Sequence, residues 1–424
     1  MTALVIVFCL GYCAIAFEHI IKINKAATAL LTGICCWIIY ISQSADKHVI
    51  NEQLMHQLAD VSGILFFLLG AMTIVELIDA HDGFEIITNQ ITTNQKRKLL
   101  ILTAFFTFFL SALLDNLTTT IVMVSLLGKL IHDKTNRLFF TGLVVIAANA
   151  GGCWSPIGDV TTTMLWMGGQ ITATTIIKEL FLPSLVCLLL PLSIVTWRLK
   201  GNFILPAQKT TQPNGQLLPR RHQVIVLMSG ICVLISVPIF KTVTHLPPYM
   251  GILLGLGILW VITELLHGHR DEEDKEAYSV VYALRKIDSP SILFFLGILL
   301  SVAALNASGL LKTLSERLMS MTNDLRLITY STGVLSSIVD NVPLVAATQG
   351  MYSMNVYPVN HFLWTALTYC AGTGGSLLII GSAAGVAAMG IEKISFGWYL
   401  KHMTWLAFLG YTGGFICYLL LTLL

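Results

Sequence analysis

Two apolar stretches of the sequence, about 99–128 and about 327–353, are each too long for one membrane crossing, and each carries an Asp-Asn pair in its middle, Asp115-Asn116 and Asp340-Asn341. A membrane-spanning helix takes about 20 mostly apolar residues. A re-entrant hairpin, which enters the bilayer and turns back with its polar tip at membrane depth, accounts for both the length and the interruption. Irregular backbone is tolerated at that depth only where protein or a water-filled cavity satisfies it, so both tips are expected to line a cavity. The same reading excludes a soluble fold: 55% of the 424 residues are hydrophobic and 11% charged, against roughly 25% charged in a soluble domain.

Ten further stretches read as crossings, at about 2–17, 26–42, 61–78, 138–168, 177–197, 222–241, 249–266, 290–305, 361–391 and 396–422. The order of features occurs twice. Leu65-Phe66-Phe67-Leu68-Leu69-Gly70 recurs as Leu293-Phe294-Phe295-Leu296-Gly297, at an offset of 228 residues. Leu113-Leu114-Asp115-Asn116 recurs as Ile338-Val339-Asp340-Asn341, and the segment from Gly151-Gly152 to Gly158-Asp159 as that from Gly374-Gly375 to Gly381-Ser382, at offsets of 225 and 223. Internal duplication of this kind marks repeat-built transporters. Each half holds five crossings and one hairpin, and five is odd, so the second half enters from the opposite side. The expected fold is an all-α polytopic membrane protein, an inverted-repeat secondary transporter with about ten transmembrane helices, two re-entrant hairpins and two broken helices. Repeat 1 covers 1–197, with its hairpin at about 99–128 and broken helix at about 138–168. A linker covers 198–221, and repeat 2 covers 222–424, with its hairpin at about 327–353 and broken helix at about 361–391.

Lys and Arg accumulate on the cytoplasmic side of membrane proteins. With both termini outside, 19 of the 25 Lys and Arg residues fall inside, Lys22 and Lys25 among them. The linker, with five positive charges and no acid, then belongs in the cytoplasm. The acidic run Asp271-Glu272-Glu273-Asp274 reads as a solvated loop. No positive n-region precedes the first apolar segment, which reads as a retained helix rather than a signal peptide. The lipid bilayer is the expected partner. A net charge of +2, with no basic tract interleaved with aromatics, gives nucleic acid no footing. The nine cysteines form no C-x-x-C pair and read as buried small hydrophobes.

An acid near the bilayer centre is costly and usually marks an ion or substrate path. Asp115, Asp159 and Asp340 are the three acids at the hairpin tips and the first helix break. Asp and Asn also cap helices well, so capping of short half-helices is the plain alternative; it explains the residue types but not their recurrence in both halves. Carboxylate, amide, hydroxyl and freed carbonyl oxygens, as in Asp115-Asn116-Leu117-Thr118-Thr119-Thr120 and Asp340-Asn341-Val342-Pro343, are hard ligands suited to an alkali cation. Thr119 and Thr120 serve equally well as helix-packing hydroxyls. In Gly151-Gly152-Cys153-Trp154-Ser155-Pro156-Ile157-Gly158-Asp159, three Gly and one Pro interrupt an apolar helix and free carbonyls. Asp159 stands where the second half-helix starts and either caps it or binds a proton; the second-half equivalent is Ser382, so the site is expected to be asymmetric. No Lys, Arg or His lies within either tip or break, which favours a cation over an anion. Glu76 and Asp79 lie near the inner end of a crossing, where Glu76 either lines a funnel or marks the helix end, and His81 is a candidate for pH sensing. No H-E-x-x-H or G-x-S-x-G motif is present, and no enzyme is expected. An intramembrane aspartyl protease would use Asp115 and Asp159 as its dyad, but Pro156 stands where its Gly-x-Gly-Asp signature needs the first Gly.

Asp115 to Thr120, Gly151 to Trp166 and Thr73-Ile74-Val75-Glu76-Leu77-Ile78-Asp79-Ala80-His81 together resemble the NhaD-type sodium/proton antiporters of the ion transporter superfamily, the middle motif most specifically. The resemblance extends over the whole chain, since the second hairpin and the Gly374-Gly375 break fit the pattern shared with arsenite and dicarboxylate carriers. It implies a bacterial inner-membrane protein that exports Na⁺, with Li⁺ as a second substrate, in exchange for H⁺. It also implies paired hairpins facing two broken helices, often in a homodimer whose transport domain moves like an elevator. Cys153, where a small non-thiol residue is usual, and the short N-terminus depart from the pattern; Cys153 leaves thiol sensitivity open. The expectation is that Na⁺ and H⁺ compete for one carboxylate-centred site and that no cofactor takes part. Asp115 and Asp159 would titrate, Asn116, Thr118, Ser155 and Asn341 would supply neutral oxygens, and Asp340 would be the second half's contribution. A Na⁺-coupled symporter of small anions on the same scaffold is the alternative.

Overall fold

Apolar runs in a bilayer have no water to satisfy their peptide groups, and helices satisfy them internally. The computed structural model describes residues 2–16, 18–43, 46–88, 93, 95–203, 219–268, 277–322 and 324–423. The first half builds α1 (Thr2–Ala16), α2 (Lys25–Ser42), α3 (Lys47–Ala80), α4 (Lys96–Ser111), α5 (Asn116–Leu130), α6 (Lys134–Gly152), α7 (Val160–Met167) and α8 (Ala173–Arg198). The second builds α9 (Arg220–Thr244), α10 (Pro248–His267), α11 (Ser289–Ala307), α12 (Leu310–Thr322), α13 (Leu325–Leu335), α14 (Asn341–Met351), α15 (Phe362–Gly374), α16 (Ala383–Glu392) and α17 (Thr404–Leu421). Among the described residues the one departure from helix pairing is an isolated bridge between Gln95 and Asn202.

Seven of these helices, α2, α3, α8, α9, α10, α11 and α17, are long and apolar enough to cross a membrane by themselves. The stretch 2–17 forms the shorter α1, and 138–168 and 361–391 are each two half-helices in series, α6 with α7 and α15 with α16. The stretch 396–422 is corrected: it is a short helix Phe396–His402 followed by α17, with the joint at Met403. Lys401 and His402 make the first part polar, and Trp398 and His402 pack on Phe139 instead of continuing one rod. α3 starts 14 residues before the apolar stretch at 61, because Asp46 caps it by accepting from the His48 and Val49 N–H groups. The stretch 306–325 contains the amphipathic helix α12, whose Leu311 and Ser315 are buried while Met321 is exposed. Of the linker, residues 204–218 lie outside the described residues, as does the acidic run 271–274.

Packing places the two hairpins against the two broken helices. α4 lies along α6 and α13 along α15, while α2 packs on α11, α3 on α10 and α8 on α17. The same contacts occur at both hairpin tips. Ser111 Oγ donates to the Ala148 carbonyl at 2.6 Å, and Ser336 Oγ donates to the Ala371 carbonyl at 2.9 Å. A Cβ on Gly158 would stand 2.7 Å from the Ser111 carbonyl oxygen, and one on Gly381 would stand 2.6 Å from that of Ser337. Only glycine permits that approach, and it brings each tip against the start of the following half-helix.

Candidate functional site

Four half-helices, α5, α7, α14 and α16, begin near one another, and each is capped by its own side chain. Asp115 accepts from the Thr118 N–H at 2.7 Å and from Thr118 Oγ1 at 2.9 Å. Asp159 accepts from the Thr161 N–H at 3.2 Å, Asp340 from the Val342 N–H at 3.5 Å, and Ser382 Oγ from the Gly385 N–H at 3.2 Å. The plain capping reading of these residues therefore holds, and the three acids also share a cavity. Asp115, Asp159 and Asp340 line one cavity of about 60 Å³ together with Asn116, Asn341 and Lys25. Phe67 and Phe295, from the two Leu-Phe-Phe-Leu segments, form part of its apolar wall.

Two amide bridges tie the tips to the opposite half. Asn341 Nδ2 donates to Asp159 Oδ2 at 3.5 Å, across the two halves. Asn116 Nδ2 donates to Asn149 Oδ1 at 3.0 Å, and Asn149 Nδ2 donates in turn to Ser376 Oγ and Ser382 Oγ, each at 2.9 Å. The three acids do not converge on one point: among the described residues no three His, Cys, Asp or Glu side chains are disposed to hold a metal ion together. A cation placed here could meet at most two carboxylates at once and would need neutral oxygens to complete its shell.

Of the residues singled out from sequence, Asp115, Asn116, Asp159, Asp340 and Asn341 meet in the cavity. Thr118 reaches it through Asp115. Ser155 is not among the lining residues; its Oγ accepts the Ile157 N–H at 3.5 Å and its carbonyl the Gly158 N–H at 3.3 Å, which shapes the break. Glu76 and His81 lie elsewhere, toward the end of α3. His81 is buried there, with Nδ1 2.7 Å from the Leu77 carbonyl and Nε2 3.0 Å from His267 Nε2, and Tyr278 against both rings. The helix C-cap folds it inward, away from solvent. Cys153 is buried, with Sγ 3.0 Å from Ser184 Oγ.

Sequence reasoning missed two residues. Asn149, fully buried in the Ala-rich end of α6, is a lone amide in Val144-Val145-Ile146-Ala147-Ala148-Asn149, and that isolation was the available signal. Lys25, in sequence, is simply one of the charges that fall inside. It instead begins α2, with Nζ 3.8 Å from Asp340 Oδ2 and 4.6 Å from the centre of the Phe294 ring. One basic group thus stands beside a tip, from an element distant in sequence, and three carboxylates still outnumber it.

A second cavity of about 670 Å³ lies farther along α7 and α14, lined by polar groups including Gln57, Asp60, Gln170, Asn306 and Gln349. It touches Met164 and Ala346, whereas the acidic cavity touches Val160, Thr163 and Val342, within one helical turn on the same two helices. Val61, Met164, Phe294, Ile298 and Val342 pack together as an apolar cluster in this region.

The sequence profile of the citrate transporter family matches residues 12–366. Sodium/proton antiporter 2 of Arabidopsis thaliana is 45% identical over 422 residues, covering 98% of each chain, and sodium/proton antiporter 1 of the same plant is 47% identical over 98% of this chain and 72% of its own. The Na⁺/H⁺ antiporter NhaD of Vibrio cholerae is 29% identical over 99% of this chain and 91% of its own. The chain belongs to the NhaD-type antiporter family. Members of this family are transporters and not enzymes, which removes the aspartyl protease, and the apolar helices agree with a multi-pass membrane protein.

Proposed function

We propose that the protein exchanges Na⁺, and also Li⁺, for H⁺ across an energised membrane, with a bacterial inner membrane as the expected setting. The observation that carries this reading is the single cavity shared by Asp115, Asp159 and Asp340. Asp115 and Asp159 hold either the metal cation or protons, and Asn116, Asn341 and Thr118 supply neutral oxygen. Occupancy by one species excludes the other, so movement of the loaded site exchanges them without a separate wire between sites. The paired tip contacts and the crosswise packing of α2 on α11 and α3 on α10 support two inverted repeats over 1–197 and 222–424, and the distribution of Lys and Arg supports a cytoplasmic linker with both termini outside. A homodimer with an elevator-like transport domain accompanies this proposal.

The anion symporter fares less well on the same geometry. Anions are held by free N–H groups at helix N-termini, and here each of the four N-termini has an N–H taken by its own cap, three of them by carboxylates whose charge opposes an anion.

The test is proton flux in everted vesicles with an acid interior, read by a pH-sensitive dye on addition of NaCl, LiCl or KCl. Na⁺ and Li⁺ are expected to dissipate the gradient, and Asp159→Asn to abolish the response. Asn caps as well as Asp, so insertion should survive the substitution. An Asp159→Asn protein exchanging at the wild-type rate removes Asp159 from the mechanism, and silence of the inserted wild type removes the reading.

A further inference from the structure

Lys25 occupies a position that its own helix disfavours. It is the first residue of α2, where the helix dipole is positive and where no acid lies in the first turn. Its backbone N–H is satisfied by Glu18 Oε1 at 3.1 Å, while its side chain runs across the Phe294 face toward Asp340. Both ends of the Lys25–Asp340 pair retain some solvent access, with side chains 26% and 19% exposed. At 3.8 Å the two charges attract without the closure of a short hydrogen bond. Asp340 is also the most loosely capped of the three acids, at 3.5 Å against 2.7 Å for Asp115 and 3.2 Å for Asp159. An ammonium at this distance is a cation already at the site.

We propose that Lys25 is a tethered counter-ion: it holds Asp340 when the cavity contains no transported cation, and it yields that carboxylate when one enters. This rests on the Na⁺/H⁺ reading and deepens it by assigning a residue that sets apparent cation affinity and release. Lys25 belongs to α2, which packs on α11, whereas Asp340 caps α14 at the second hairpin tip. The pair therefore bridges the α2–α11 bundle and the hairpin, and an arriving cation severs the bridge as it binds. A departing cation is replaced by the ammonium, so Asp340 is not left bare. Lys25 thus lowers affinity and speeds release by acting as a competitor that never leaves.

The experiment measures half-saturating Na⁺ and maximum rate of exchange in everted vesicles. Lys25→Met is expected to lower half-saturating Na⁺ about tenfold, as loss of a partly desolvated opposing charge would, and to lower the maximum rate by slowing release. Lys25→Arg, which keeps the charge, should restore most of both. In an Asp340→Asn background, Lys25→Met should add little further change, because its partner is already gone. Should Lys25→Met fail to insert, Lys25→Cys labelled after insertion with a positively charged thiosulfonate, against a neutral one, repeats the comparison on folded protein, with wild type treated in parallel. Only the charged label should raise half-saturating Na⁺. A half-saturation in Lys25→Met that rises, or stays within twofold of wild type, overturns the proposal, as does equal action of the two labels. Failure of wild type itself to exchange would instead strike the underlying Na⁺/H⁺ reading, so the two failures are distinguishable.

Discussion

Substituting Ala for Gly158 or Gly381 tests whether the hairpin tips must sit as close to the broken helices as they do. The new Cβ would stand 2.7 Å from the Ser111 carbonyl oxygen in one case and 2.6 Å from that of Ser337 in the other. Carbon and carbonyl oxygen normally approach to about 3.3–3.6 Å, so the tip must retreat by roughly 0.6 Å or more. In both cases the atom met is a backbone carbonyl oxygen, which no side-chain rotation can move aside. Overpacking of this kind costs about 1–3 kcal/mol, which a protein of this size should survive with a lowered melting point. The effect on exchange should be larger than the effect on stability. Gly158 precedes Asp159 and packs on the tip that carries Asp115, and misplacement of reacting groups by about 1 Å can cost on the order of 10²-fold in rate. Gly158→Ala is therefore expected to slow Na⁺-dependent proton flux in everted vesicles by at least about tenfold at equal protein in the membrane. Gly257→Ala, where a Cβ meets nothing within 4 Å, serves as the control. A Gly158→Ala protein with wild-type rate and half-saturation would show that the close approach of tip and break does not set the site.

Two further outcomes follow from the same geometry. Asn149→Ala removes three hydrogen bonds from a fully buried position and strands their partners; with each stranded buried group costing about 1–3 kcal/mol, the thermal midpoint of purified protein should fall clearly, and an unchanged midpoint would refute the bridge. Protons and Na⁺ competing for the carboxylates predict that half-saturating Na⁺ rises as pH falls, by up to about tenfold per pH unit for a single competing proton, with a plateau on the alkaline side; a constant half-saturation with only the maximum rate falling would place the protonation elsewhere.

The hairpin tips were legible because Asp-Asn in an apolar run is a local contradiction that only a cavity resolves, and the repetition at Asp340-Asn341 made the signal independent of any one motif. The positions of most long helices followed from apolar length alone. What escaped was whatever depends on partners from other elements. The polar first turns of α3 carry no apolar signature, since Asp46 and the exposed Glu52 and His56 form a helix standing clear of the apolar segment. Lys25 looks like an interfacial charge until α11 places Phe294 and the second hairpin places Asp340 beside it. Ser155 has the right chemistry for a cation, but its Oγ and carbonyl face the N–H groups of the turn it makes, and it is not among the residues lining the acidic cavity. His81 is drawn inward by His267, 186 residues away, a pairing that no local pattern announces.

The single helical turn between the two cavities has an electrical consequence. On α7 the acidic cavity reaches Thr163 and the second cavity Met164, and on α14 the two reach Val342 and Ala346, so the dividing layer is at most about one helical turn, roughly 6 Å at 1.5 Å rise per residue. Where water fills the space on either side, a membrane voltage cannot spread evenly over the hydrocarbon thickness; it collapses onto that layer. Each elementary charge that passes through it then feels nearly the whole of the roughly 2.3 kcal/mol that 100 mV supplies, although its bound position shifts by only a few ångströms. Asp159 and Asp340, at the starts of α7 and α14, sit at the edge of that layer, where a short displacement is worth almost a complete crossing.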